Sequence, residues 1–340
     1  MTTTTPGLVC AHHHLYSELA RGMPAPPKVA TNFQEILDQV WWRLDAALDL
    51  DMLYASARLG ALEALEAGTT AIVDHNETPN AIEGSLSVIA DACAEVGVRV
   101  LTAYGISDRN GADGVTRGLA ENERFIKDGG KALVGIHAAF TCTDESLEAA
   151  AGLAKDLGVG VHIHVCEGIG DIDAPQRLKG LTEDNWLISH CIHLPTDHDL
   201  KGTILHNPRS NLNNGVGYAE PARFSNPVAL GTDGIGANMI ESFRLAYVMQ
   251  RSVDVTVGPD PAWSWLEEGW SIVPEARNDE VTWSYDPMDP WHIAFTPGIR
   301  PLEVKVDGEV VFTDGKPTRV DGEEIRTKAR EQAKRLHAKL

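Results

Sequence analysis

The sequence predicts a parallel (β/α)₈ TIM barrel, and three observations lead there. Eight short, nearly continuous apolar runs recur between residue 7 and about residue 250, as expected of strands covered on both faces. Segments of helical period separate them. The chain has 340 residues, enough for one barrel of about 250 and a smaller appendage.

The runs are Leu8–Ala11, Thr70–Asp74, Arg99–Tyr104, Ala132–Ile136, Val159–Ile163, Trp186–Ser189, Thr203–Leu205 and Pro227–Leu230. Between the first two, Leu48, Met52, Ala55, Leu59 and Leu62 fall at helical spacing, and Gly68 stands where a helix of that register should stop. Between the fourth and fifth, Thr143 is an N-cap, Asp144 and Glu145 suit the macrodipole, and Gly158 ends the helix. The crossover from His190 to Gly202 is the shortest and has room for a turn or two of helix.

After Asp254 the character changes. Five of the eight tryptophans and many prolines follow, with little period. So aromatic a stretch is expected to be an ordered, irregular covering layer. LEVKVDGEVVF then predicts a hairpin about Asp307-Gly308, and the last residues predict a helix capped by Asp321 and Glu324, with apolar positions at 325, 329, 333, 336 and 340. The divisions are therefore 6–252, 253–300 and 301–340. The four threonines at the start are the one low-complexity stretch.

With 29 basic and 49 acidic side chains the net charge is −20, and no cluster of Lys and Arg offsets it. Nucleic acid and anionic membrane surfaces are excluded as partners. No run approaches 18 apolar residues, and MTTTTPGLVC has neither the basic nor the apolar region of a secretory signal, so a soluble, cytoplasmic protein is expected. The five cysteines are scattered without CxxC, which argues against disulfides and thiolate zinc sites.

The histidines are placed differently. Eleven of 13 precede residue 207, and most close a predicted strand, where a barrel builds its active site. The first run ends in His12, His13 and His14, and the second in Asp74, His75 and Asn76. The fourth ends in His137, and the fifth carries His162, His164 and Glu167. The sixth is followed by His190 and His193, the seventh by His206 and Asn207, and the eighth by Asp233. Alternation puts His12 and His14 on one strand face, and His162 and His164 likewise. Neutral imidazoles with one carboxylate suit a catalytic zinc or iron. One such histidine alone is better explained as a satisfied core or surface residue. Six strand ends reverse that balance. No GxGxxG, P-loop, HExxH, GxSxG or PCxxC competes.

PGLVCAHHHLYSELARG, VGIHAAFTCTDESL, VHIHVCEG, ISHCIHL, HNPRSNLNNGVG and LGTDGIGANM resemble, in order, the motifs of the metal-dependent amidohydrolase superfamily. The branch is that of cytosine, guanine and adenosine-type deaminases and triazine chlorohydrolases, and the SsnA-like aminohydrolases are the most similar group. The resemblance implies one divalent metal ion, zinc or iron, on His12, His14, His164 and Asp233. It further implies Glu167 as proton shuttle, His190 as the group steadying the oxygen, and Asp233 as acceptor of the water proton. His137 is implied as a substrate contact, and His75 and Asn207 join it as candidates. No lysine closes the fourth strand, since Lys131 opens it, so a carbamylated lysine bridging two ions is not expected.

The implied function is hydrolysis of a C–N bond on a cyclic or heteroaromatic small molecule, most simply deamination. Chlorohydrolase or cyclic-amide hydrolase chemistry would use the same residues, and a non-catalytic binding protein or inactive fragment is the alternative from another class. That last reading arises because the branch carries several strands ahead of PGL, which pair with the C-terminal hairpin in a small β-sandwich. Five residues precede Pro6 here, so the appendage is expected to be an incomplete β-sandwich whose hairpin lacks partners. The Trp-rich segment is expected to shape the pocket. Homo-oligomers are common in the family, but nothing in the sequence fixes an interface.

His13, His198, His292 and His337 are given no role, and His162 and His193 are expected only to support better-placed neighbours. Cys166 and Cys191 are expected to be packing residues. Trp41 and Trp42 belong to a loop that either covers the pocket or makes plain hydrophobic contact. Asn76-Glu77-Thr78 is read as a sequon without meaning.

Overall fold

The computed structural model describes residues 2–340. Eight parallel strands form the barrel: Leu8–His13, Thr69–Asp74, a third in two pieces (Arg99–Leu101 and Gly105–Ile106), Val134–Ala138, Val161–Val165, Leu187–His190, Thr203–His206 and Val228–Leu230. Each coincides with a predicted run. Bridges Asn76↔Tyr104 and Thr102↔Ala132 carry the ring across the broken third strand, and His13↔Asp233 joins the first strand to the eighth. Parallel strands need crossovers, and the long ones are helices Leu50–Glu66, Ser85–Val96, Gly111–Lys127 and Asp144–Leu157. Asp49 and Thr143 accept from Met52 and Ser146 N–H as N-caps, and Gly68 and Gly158 adopt the left-handed backbone past the helix ends. The crossover from His190 to Gly202 differs from expectation. It contains turns and no helix, because so short a connection is used up in returning to the next strand.

Val9, Ala11, Ala71, Val73, Ala103, Leu133, Leu187, Leu205 and Ala229 fill the barrel, while Leu8, Cys10, Ile72, Ile136, Ile163, Ile188 and Ile204 face outward to the helices. The Trp-rich segment closes the floor of this interior. Its helices Asp260–Glu267 and Gly269–Ile272 bring Trp270, Val273 and Ala276 into the inner cluster, and Trp270 Nε1–H donates to Gly7 O at 2.8 Å. Gly269 is required there, since a Cβ would lie 2.7 Å from Val9 Cβ. None of the segment's tryptophans lines the pocket at the opposite end. The expectation that it shapes the pocket is therefore corrected: Trp270 fills apolar space at the barrel's N-terminal end, Trp283 packs in the appended sheet, and Trp291 is exposed.

The hairpin also differs from expectation. Pro301–Val306 and Glu309–Thr313 pair through Asp307 and Gly308, both left-handed as a type I′ turn requires. Their sheet continues through Glu280–Trp283 to Thr3–Thr5 on one side and Lys316–Pro317 on the other. The hairpin is thus partnered, by a strand hidden in the Trp-rich segment. The threonine run, β-branched and therefore at ease in a strand, is paired rather than structureless. Trp283 locks the junction, with Nε1–H donating to Thr5 Oγ1 at 2.8 Å and its ring against Gly68. The last helix, Gly322–His337, is capped by Asp321 and lies along Leu50–Glu66, where Arg326 pairs with Glu66 and His337 Nε2–H donates to Leu19 O. Among the described residues no helix is long and apolar enough to cross a membrane.

Removing the floor plug by Trp270→Ala leaves a cavity at the foot of the inner cluster and removes the indole donor to Gly7 O. It should lower stability by about 3–5 kcal/mol, read as a shifted denaturant midpoint with an unchanged slope.

Candidate active site

The site begins with an irregularity in the first strand. Cys10 stands opposite Ile72 and His13 opposite Asp74, so the first strand carries one extra residue over that stretch. Without this bulge, alternation from Val9 and Ala11 would aim His13 inward. With it, His12 and His14 turn into the barrel mouth and His13 turns out. His13 is buried there between Thr232 Oγ1 and Glu18 Oε1, 2.9 Å from each. At the other side of the closure, Asp233 holds a left-handed backbone (φ 60°), and Gly231 lets the eighth strand pass His12, where a Cβ would lie 2.8 Å from His12 Cβ.

His12 Nε2 and His14 Nε2 lie 3.1 and 2.9 Å from Asp233 Oδ1, and His164 Nε2 lies 3.3 Å from His14 Nε2. The remaining ring nitrogens fix how these imidazoles are presented. His14 Nδ1 donates to His75 O at 2.6 Å and His164 Nδ1 to His137 O at 2.7 Å, so each turns Nε2 to the centre. His12 Nδ1 lies 2.8 Å from His162 Nε2, the supporting contact expected of His162. Burial holds His12 and His164 well below the usual histidine range, as neutral ligands require. Burial also opposes charge on His14, but Asp233 outweighs it and pushes His14 up to about 9. Burial likewise disfavours the Asp233 carboxylate, yet His12 and His14 hold it well below the ordinary range, and Ser210 Oγ–H donates to its other oxygen at 2.5 Å.

His190, at φ 72°, donates from Nδ1 to Asn211 Oδ1 at 2.8 Å. Its buried Nε2 has no hydrogen-bond partner and lies 3.5 Å from Glu167 Oε2. Burial pushes Glu167 up to about 7, although His190 favours its charged form. His12, His164, His190 and Asp233 each offer a ligand atom within 4.8 Å of the others, and so do His14, His75, Glu77 and His164. The two groups share His164, whose Nδ1 is committed to a carbonyl, so the donor set fits one divalent ion rather than two.

The pocket above has an apolar side of Tyr16, Phe33, Trp41, Trp42 and Phe140 and a polar side of Asp45, Glu77, His137, Glu167 and Asp233. His137 lines it as expected, 2.7 Å from Thr141 Oγ1 and 3.5 Å from Glu77 Oε2. His75 and Asn207 do not. His75 is packed on Gly105 with Nε2 donating to Ile136 O, and Asn207 donates to Ser189 Oγ. Both point inward but lie outside the pocket lining, beneath the residues that face it. Trp41 and Trp42 do cover the pocket, on a helical strap between 33 and 47 rather than a loop. Glu77, dismissed in the sequence, sits on the pocket wall, and Asp45 beside it shares Arg109, at 3.4 and 3.3 Å respectively. The only sequence signal for Glu77 was its place just beyond the second strand. His193 borders a neighbouring groove. The five cysteines are free and buried.

Residues 3–273 match the profile of the amidohydrolase family. The chain belongs to that family. Among curated amidohydrolase relatives, a 5′-deoxyadenosine deaminase of Methanothermobacter thermautotrophicus is 29% identical over 278 residues, covering 72% of this chain and 62% of that one. A protein of the same name from Methanocaldococcus jannaschii is 26% identical, covering 96% of this chain and 87% of that one. Among solved structures, an adenosine deaminase from Xanthomonas campestris with bound zinc superposes with a TM-score of 0.80 at 20% identity, covering 99% of this chain and 86% of that one. The zinc complex of atrazine chlorohydrolase from Arthrobacter aurescens gives 0.79 at 21% identity, covering 98% and 88%. These amidohydrolases share the fold, a barrel with an antiparallel sheet appended.

The turn after the first strand is pinned to the eighth by Glu18. Its Oε1 accepts from His13 and, at 2.7 Å, from Gly236 N–H, and Arg21 lies 3.0 Å from Oε2. Burial penalises this carboxylate, but His13, Arg21 and Gly236 together hold its pKa below the ordinary value of 4.5. The stability it contributes is therefore complete above pH 4.5 and lost as pH falls through the depressed value. Glu18→Ala should cost about 3–5 kcal/mol near pH 7, and its deficit relative to wild type should shrink in acid, measured by denaturant melts across pH 3–7.

Proposed function

We propose that the chain is a metal-dependent aminohydrolase that removes an exocyclic amine from a heteroaromatic ring. The observation that carries this reading is the convergence of His12 and His14 on Asp233 Oδ1 and of His164 on His14, with Glu167 and the unpartnered His190 Nε2 beside them. Those four residues would hold one ion, zinc by the chemistry of a three-imidazole, one-carboxylate set. When bound, such an ion supplies a Lewis acid that lowers the pKa of water from about 15.7 toward about 7.

The chain's own groups do the rest. Asp233, oriented by Ser210, accepts the proton that the attacking water loses. Glu167, with its pKa near 7, carries a proton at neutral pH and delivers it to the ring nitrogen as the water adds; the proton held by Asp233 then passes to the leaving amine, and the proton the new hydroxyl loses as the C–N bond breaks returns to Glu167. His190, oriented by Asn211, points its unpartnered Nε2 into the site and steadies the oxygen as charge develops. Trp42 and Phe140 flank the ring and His137 borders it. Asp45, Glu77, Glu167, Asp171 and Asp233 line the pocket, which favours neutral or cationic substrates over anionic ones. The relatives' names support adenine nucleosides as the first substrates to try.

Two outcomes are expected. Purified protein should contain about one zinc per chain by elemental analysis, and His164→Ala should lose most of it with the fold retained by circular dichroism. In an ammonia-release assay, Glu167→Gln should lower kcat by about 10²–10⁴ with KM little changed. Full activity in that variant, or release of chloride in place of ammonia, would overturn the reading.

A further inference from the structure

Two buried carboxyl groups on the pocket wall share a single guanidinium. Asp45, on the strap helix Trp42–Ala47, and Glu77, just beyond the second strand, lie 3.3 and 3.4 Å from the same Arg109 Nη2. Only 1% of the Asp45 side chain is exposed and 4% of that of Glu77. We propose that Asp45 is a specificity-determining residue whose Oδ1 accepts from a second N–H group of the substrate, so that the ring carries an amino group or protonated nitrogen besides the amine it loses. This rests on the reading of the pocket as the place where a heteroaromatic ring reacts.

Three observations carry the assignment. Asp45 lines the pocket, yet its buried Oδ1 has no hydrogen-bond partner in the protein. A buried acceptor left unpaired is costly, and a donor held in the pocket would satisfy it.

The second observation is charge. Two carboxylates against one guanidinium leave a negative charge uncompensated, and no lysine or arginine lines the pocket. His137, 3.5 Å from Glu77 Oε2, adds no charge, because burial lowers it to about 4. Burial and Glu77 accordingly push Asp45 well above the usual carboxylate range, against the pull of Arg109. An N–H group that carries positive charge supplies what the pair lacks, whereas a hydroxyl supplies a donor without charge. The third observation is the commitment of Arg109. It serves both carboxyl groups, lies 4.4 Å from the centre of the Trp42 ring and is not part of the pocket lining. An acceptor or anion on the substrate therefore finds no cation there, while the braced Trp42 offers a flat wall to a planar ring.

The test is calorimetric titration of ring pairs that differ by one amine: 4-aminopyrimidine against 2,4-diaminopyrimidine, and adenine against 2,6-diaminopurine, with the 2-methyl analogues as size controls. Binding is measured in the Glu167→Gln chain, where turnover does not intrude. The diamino rings should bind about 10- to 100-fold tighter than their partners, and the methyl analogues should gain nothing comparable. Asp45→Ala, which leaves Arg109 balanced by Glu77, should reduce the preference to about twofold or less while single-amine affinities stay within about twofold. Asp45→Asn keeps the shape and serves if Asp45→Ala misfolds; it should weaken the preference at least about fivefold. Equal affinity for paired rings, an equal loss for both in the variants, or no binding by either diamino ring would overturn the proposal. Ammonia release is followed separately in the unaltered chain. An Asp45-dependent preference without ammonia release would keep this contact and overturn the aminohydrolase reading, so the two fail separately.

Discussion

Closure of the barrel between its first and eighth strands is the constraint on which the rest depends. The bridge His13↔Asp233 joins residues 220 positions apart, and the polar centre exists only where that seam is made. The bulge before His13 aims His12 and His14 at Asp233, Gly231 permits the close passage, and Glu18 fastens the flanking turns. Left-handed backbone at Asp233 and His190 concentrates strain at the same place. Non-glycine residues persist in such conformations only where their surroundings over-determine them, and here a hydrogen bond from Ser210 to Asp233 and one from His190 to Asn211 contribute to doing so.

Most of the barrel was legible because buried parallel strands write themselves as apolar runs and the helix ends at Gly68, Thr143 and Gly158 are local signals. The pair spacing of His12 and His14 was equally legible. What spacing could not reveal was the bulge, since an extra residue in a strand leaves no mark in composition. His75 and Asn207 show the complementary limit. Their residue types and their place after strands suggested contact with a substrate, yet depth along the barrel axis decides what reaches the pocket, and both lie beneath it. Asp45 was invisible for another reason: it arrives on the strap, far in sequence from every strand end. The strand Glu280–Trp283 was hidden by brevity, four residues amid prolines and tryptophans.

The electrostatics of the site follow from burial more than from the overall charge of −20. Carboxylates without a close cationic partner, such as Glu167 and Asp171, are driven toward neutrality, each to about 7, while Asp233 stays ionised because imidazoles surround it. Neighbouring carboxyl groups are thereby separated into proton donor and proton acceptor by their surroundings alone, a division of labour that acid-base chemistry at one carbon requires.

The small sheet brings together strands from both ends of the chain: Thr3–Thr5 can pair only after Glu280–Trp283 has been made, and Trp270 must arrive before the barrel floor is sealed. During synthesis the nascent chain therefore holds all eight barrel strands with an unfilled floor and an unpaired N-terminal strand until its last quarter emerges. Local helices can form early, but the ring, its floor and the appended sheet have to condense together. Such long-range pairing makes assembly slow and exposes sticky intermediates to one another.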